Sequence, residues 1–165
     1  MLRIAAVVAA LALAVPLGAS ASEDGPVLIA FVHPRPPQIQ TGAARALFAD
    51  VNAARALRGL PALLPDPQLD EIALTVAREM AARHYFGHTD PNGMTFADRL
   101  QSAGFRFRFA AENLAFDRDE PHANAALLRS PGHYANIMDA HPHRLGVAAI
   151  AAGEGEIFYV EEFSD

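Results

Sequence analysis

The sequence predicts an α+β domain, and three observations carry the prediction. Apolar residues recur at three- and four-residue steps between Thr41 and Arg83, the spacing of helices that bury one face. The clearest β-like runs, Leu145–Ile150 and Ile157–Phe163, fall late and sit close enough to form a hairpin. Helical and strand-like segments do not alternate regularly, so a parallel βαβ sheet is not expected. A length of 165 residues fits one domain.

In chain order, residues 1–21 come first. One early Arg, an apolar run from Ile4 to Val15, and Ala19-Ser20-Ala21 are the parts of a secretory signal, with cleavage expected after Ala21. The run is 12 residues long, short of the roughly 20 that span a bilayer. No later stretch is as long and apolar, so no transmembrane segment is expected after cleavage. Residues 22–40 hold Pro26, Pro34, Pro36 and Pro37 and read as a Pro-rich linker or N-terminal arm, with Val27–Val32 as a short strand or arm over the core. The domain proper is residues 41–165.

Thr41 can cap a first helix that carries Leu47, Val51 and Ala54 and stops before Gly59. A turn-rich stretch from Pro61 leads to a second helix, from Asp66 or Pro67 to Arg83, with Leu69, Ile72, Val76 and Met80 on one stripe. Thr89-Asp90-Pro91-Asn92-Gly93 is a turn by composition. Thr95 reads as the cap of a short helix that ends at Gly104. Phe105, Phe107 and Phe109 alternate with Arg106 and Arg108, which predicts a half-buried strand with an Arg face in water. That face is a solvated surface or a contact for an anionic glycan or lipid. Pro121 fits the first turn of a helix to Arg129, and Ser130-Pro131 restarts a short one through Met138.

Composition narrows the chemistry. There is no Cys, which excludes disulfides, zinc fingers, thiol nucleophiles and iron–sulfur sites. The formal charge is −6, and removal of residues 1–21 takes away one Arg and no acid, giving −7. A nucleic-acid partner is not expected at that balance. The 52% apolar fraction is raised by the signal and excludes wholesale disorder.

Three stretches gather His and Glu: Phe86-Gly87-His88-Thr89-Asp90, Glu112-Asn113-Leu114-Ala115, and Ser130-Pro131-Gly132-His133. Two imidazoles and a carboxylate suit zinc or another divalent metal. Hydrogen-bonded core or capping roles account for His88 and His133 equally well, and Glu112 could instead cap nearby backbone N–H groups. Ser130 before Pro-Gly is first a cap or turn residue, since no Gly-x-Ser-x-Gly elbow surrounds it. Asn113 and Asn136 fit backbone pairing.

These stretches, with Asn52-x-x-Arg55 before them and Leu145-Gly146-Val147 after, occur in an order that resembles the CAP superfamily of cysteine-rich secretory, antigen 5 and pathogenesis-related proteins. The similarity is to its Cys-free bacterial branch, the SCP-like extracellular domains, and runs from about Leu47 to Phe163. It implies a three-layer α-β-α sandwich with a small, mainly antiparallel central sheet. It also implies a cleft in which His88 and His133 hold a divalent metal and Glu112 supplies a carboxylate. The family's second Glu falls on Ser130, which would line the cleft without an acid, and the Trp that usually precedes it is Leu127. The resemblance implies an exported, non-catalytic binding module with a possible lipid, sterol or cell-envelope ligand. The alternative is a metal-dependent hydrolase with a His-bound water and Glu112 as general base. The sequence leaves the oligomeric state open.

Overall fold

The computed structural model describes residues 27–28, 36–153 and 155–165. The expected signal and most of the proline-rich arm lie outside the described residues. Twelve elements succeed one another: β1 (Val27–Leu28), β2 (Gln38–Ile39), α1 (Thr41–Ala56), β3 (Leu64–Pro65), α2 (Pro67–Arg83), β4 (Tyr85–Phe86), α3 (Phe96–Ser102), β5 (Ala110–Asp117), α4 (Glu120–Arg129), α5 (Pro131–Met138), β6 (Arg144–Ala151) and β7 (Ile157–Ser164). The α+β class holds. Among the described residues no helix is long and apolar enough to cross a membrane.

The main sheet runs β2-β6-β7-β5, with β3 pairing parallel to β6 and the other neighbours antiparallel. The expected hairpin is β6–β7. Successive residues of a strand face opposite sides, and both sides are covered. Ala111, Ala115, Val147, Tyr159 and Phe163 pack with Leu47 and Val51 of α1, Leu127 of α4 and Ile137 of α5. Leu114, Ala148, Ile150, Phe158 and Val160 pack with Ala73, Val76 and Met80 of α2. The result is three layers, with β5 at the sheet edge. A separate ribbon pairs β1 with β4, Leu28 opposite Tyr85.

Local chemistry sets the helix ends. Asp66 caps α2 by accepting from the Gln68 and Leu69 N–H groups, ahead of Pro67 at its first position. Thr95 and Asp98 form a reciprocal capping box on α3. Thr41 is the first residue of α1 rather than its cap, which is Gln40. A Cβ on Gly146 would sit 2.2 Å from the Leu69 backbone carbon, so only glycine lets the start of α2 lie this close to β6. Asn52 and Arg55 tie α1 to the loop after it and to α5. Asn52 exchanges hydrogen bonds with the Leu63 backbone, and the buried Arg55 donates to the carbonyls of Pro61, Ile137 and Asp139. Arg55 thereby fixes the C-terminal end of α5.

One expected strand is corrected. Phe105–Phe109 is not a strand; the third long strand starts at Ala110. The reason is where the N–H groups go. Gly104, at φ +70, closes α3, and the Phe105 N–H bonds back to the Leu100 carbonyl. The N–H groups of Arg108 and Phe109 are both taken by the Asp165 carboxylate. The alternation of Phe and Arg survives as packing alone: Phe105 and Phe107 join Leu69, Ile72 and Leu100, while Arg106 and Arg108 are exposed.

Candidate functional site at the free edge of β5

His88 and His133 come together where β5 ends the sheet, one from each helical layer. Their ring centroids are 6.5 Å apart with planes at 49°. His88 follows β4 and opens a loop built around Asp90. The buried Asp90 carboxylate accepts from the Asn92 and Met94 N–H groups and from Arg83, each at 2.8 Å. Burial works against its charge, but these donors outweigh it and hold the carboxyl below its ordinary range. The Gly93 N–H closes the turn on the Asp90 carbonyl at φ +89, where glycine is suited.

Glu112 lies beneath His88 on β5, its side chain fully buried while that of His88 is 49% exposed. One oxygen meets His88 Nδ1 at 2.8 Å. Arg99 of α3 donates from Nη2 to both Glu112 oxygens, at 3.2 and 2.9 Å, and to the His88 carbonyl at 3.1 Å. Its Nη1 reaches the Met94 carbonyl. Arg99 thus clamps the His88 loop to β5 through a buried ion pair. Because Glu112 is a carboxylate acceptor paired with Arg99, the proton of a neutral His88 sits on Nδ1, and Nε2 keeps its lone pair.

His133 is held differently. It lies in the first turn of α5, and its carbonyl accepts from Asn113 Nδ2 of β5 at 3.2 Å. The same Asn113 amide donates to Glu161 at 2.9 Å and accepts from Asn136 at 2.9 Å. The amides lock α5 to the strand edge without a formal charge. Burial, with His88 adding to it, pushes the His133 imidazole down to about 4. It is therefore neutral at ordinary pH.

Ser130 joins α4 to α5. Its N–H bonds the Ala126 and Leu127 carbonyls and its carbonyl takes the Tyr134 N–H, while its hydroxyl makes no capping bond. Asn113 bonds one backbone carbonyl, as its type suggested, but its other bonds run to side chains.

Three residues of the site were not singled out from the sequence. Arg99 was placed on its helix without a role. Glu161 and Glu162, adjacent on β7, are both fully buried. Glu162 stands opposite Glu112 in the β5–β7 register, and Glu161 stands opposite Asn113. A signal for the two acids existed: apolar residues of both parities in β7 show that both of its faces are covered.

Imidazole nitrogen is a donor that suits zinc and other divalent ions, and two such rings lie near each other here. Among the described residues no group of three or more His, Asp and Glu is placed to hold a metal.

Comparison with known proteins agrees with this architecture. The model of the cysteine-rich secretory protein family matches residues 48–163. Uncharacterized protein YkwD of Bacillus subtilis (strain 168) is 30% identical over 103 residues, covering 62% of this chain and 40% of that protein. A solved extracellular protein containing a SCP domain, from Bacillus anthracis, is 31% identical with a TM-score of 0.67, over 76% of this chain and 41% of that one. An outer surface protein of Borrelia burgdorferi shares the fold, at a TM-score of 0.71 and 20% identity, over 81% of this chain and 97% of that one. The chain thus spans about two fifths of the two Bacillus proteins.

Proposed function

The chain belongs to the cysteine-rich secretory protein family, and from that premise we propose that it is an exported, non-catalytic binding module whose cleft takes zinc or another divalent metal through His88 and His133. The observation that carries the reading is the pair of imidazoles facing each other across the β5 edge, 6.5 Å between centroids. One has its Nδ1 engaged by a buried carboxylate, and the other is kept neutral by burial. A carboxylate behind a ligating histidine fixes ring and tautomer and raises ligand basicity. In that role Glu112 supports the site from behind. The metal would supply a Lewis-acidic centre with open positions for a ligand from the cell envelope, a lipid or sterol headgroup among them.

The hydrolase alternative asks Glu112 to take a proton from a bound water. Both of its oxygens are already engaged, by His88 and Arg99, and its side chain is buried. That arrangement favours binding over hydrolysis. Zinc titration of the protein tests the reading: wild type should take up one equivalent, and His88→Ala and His133→Ala should each weaken uptake at least tenfold. Equal uptake by all three proteins would discard the site.

A further inference from the structure

We propose that Glu161 and Glu162 are a pair of positioning residues, one for each histidine of the cleft: Glu162 fixes His88 through Glu112, and Glu161 fixes His133 through Asn113. The inference rests on the reading of the two histidines as ligands and adds the parts that aim them.

The geometry is that of a strand with both faces covered. β7 lies between β6 and β5, and its successive side chains point to opposite layers. Glu162 therefore enters the layer of α2 and α3, where Glu112 and His88 lie, and Glu161 enters the layer of α4 and α5, where Asn113 and His133 lie. Each stands directly opposite the residue it would support. One strand step thus reaches both halves of the cleft.

Glu161 accepts from Asn113 Nδ2 at 2.9 Å, and the same Nδ2 holds the His133 carbonyl at 3.2 Å. No N–H or O–H of a described neighbour reaches either Glu162 oxygen. Its carboxyl stands directly opposite the buried Glu112 across the β5–β7 pair, and a protonated Glu162 is the form that can donate to that neighbour. Burial favours the neutral form of both β7 acids, pushing Glu161 up to about 8 and Glu162 well above its ordinary range. Packing alone does not account for two buried acids. An apolar side chain of similar size would bury without the desolvation cost of a carboxyl.

The test reads the two rings separately in the metal-free protein. Nitrogen-15 NMR of the imidazoles reports which nitrogen carries the proton. Glu162→Leu should shift the His88 ring away from its Nδ1–H tautomer and leave His133 in place. Glu161→Leu should shift the His133 backbone amide and ring signals and leave His88 in place. Glu162→Gln and Glu161→Gln should restore wild-type signals, because a carboxamide can donate to Glu112 and accept from Asn113. Where a leucine variant does not fold, the aspartate variant, one methylene shorter, makes the same selective test. In zinc titration the leucine variants should weaken binding about tenfold and the glutamine variants less than threefold. Unmoved ring signals, equal disturbance of both rings by either variant, or glutamine behaving like leucine would each overturn the pairing. Selective ring shifts in a protein that takes up no zinc would retain the positioning roles and discard the metal reading alone.

Discussion

The two sides of the site hold their histidines by opposite means. His88 sits on a loop and is secured by ions: Glu112 below it, Arg99 across from it, and Asp90 within the loop itself. His133 sits on a helix and is secured by neutral amides, Asn113 and Asn136. The first ring is half exposed; the second is buried enough to stay neutral down to about pH 4. A loop fastened by one buried arginine has few anchors besides its own turn. A helix tied at its start by Asn113 and at its end by Arg55 is held at both ends. The difference suggests a fixed half and an adjustable half.

The largest effect should come from removing the cation. Arg99 is the counter-charge of Glu112 and also lowers the charge cost of Glu162. Arg99→Met leaves the buried Glu112 with His88 but without its counter-charge, and a broken buried pair costs about 3–5 kcal/mol. Urea denaturation should show a loss of that size, with the His88–Met94 loop losing its hydrogen-exchange protection first. A loss below about 1 kcal/mol would mean that the ion pair does not hold this half.

A smaller effect, set by pH, belongs to the neutral half. The Glu161 carboxyl titrates near 8 in the folded protein and near its ordinary 4.5 when unfolded. Between those values the folded chain holds the proton that the unfolded chain has lost. The Glu161 contribution therefore falls as pH rises through this window, on the order of 1 kcal/mol per pH unit. His133, pushed down to about 4, acts the other way up to about pH 6.5, so the net fall is steepest between pH 6.5 and 8. Glu120, raised to about 6 by burial and by Asp50, adds to the slope only up to about pH 6. Thermal melting should show a lower midpoint at pH 8 than at pH 5. Glu161→Gln should reduce the fall between pH 6 and 8, with Glu162 supplying the residue. An unchanged slope in that variant would place the titration elsewhere.

The two halves were not equally legible in the sequence. Capping and periodicity gave the helices: Pro67, Thr95 and Pro121 mark starts that the structure keeps to within a residue or two. The β6–β7 hairpin was visible because apolar runs flanked a glycine-bearing turn. β5 was not read as a strand: Ala110–Asp117 carries Glu112 and Asn113 among small apolar residues, and the Phe/Arg alternation just before it imitates a strand better. What defeated that imitation was a long-range contact, the capture of two N–H groups by Asp165, 56 and 57 residues away. His88, His133 and Glu112 stood out as residue types. Their supports did not, because Arg99, Glu161 and Glu162 act through pairings that only the strand register and the packing of α3 create.

The smallest effect offers the sharpest test of the division. Arg83 bonds Asp90 at 2.8 Å and Asn92 at 3.1 Å from the end of α2, with its side chain 34% exposed. Partial exposure limits such a pair to about 1 kcal/mol or less. Asp90 keeps two backbone donors without it, so the turn should survive Arg83→Ala. Global stability should fall by less than about 1 kcal/mol, while the amides of Asn92 and Met94 exchange faster and those of α5 do not change. If the α5 amides speed up to the same extent, the halves open as one unit. The contrast between an adjustable His88 and a fixed His133 would then be wrong, since a loop and a helix that open together are one cooperative unit.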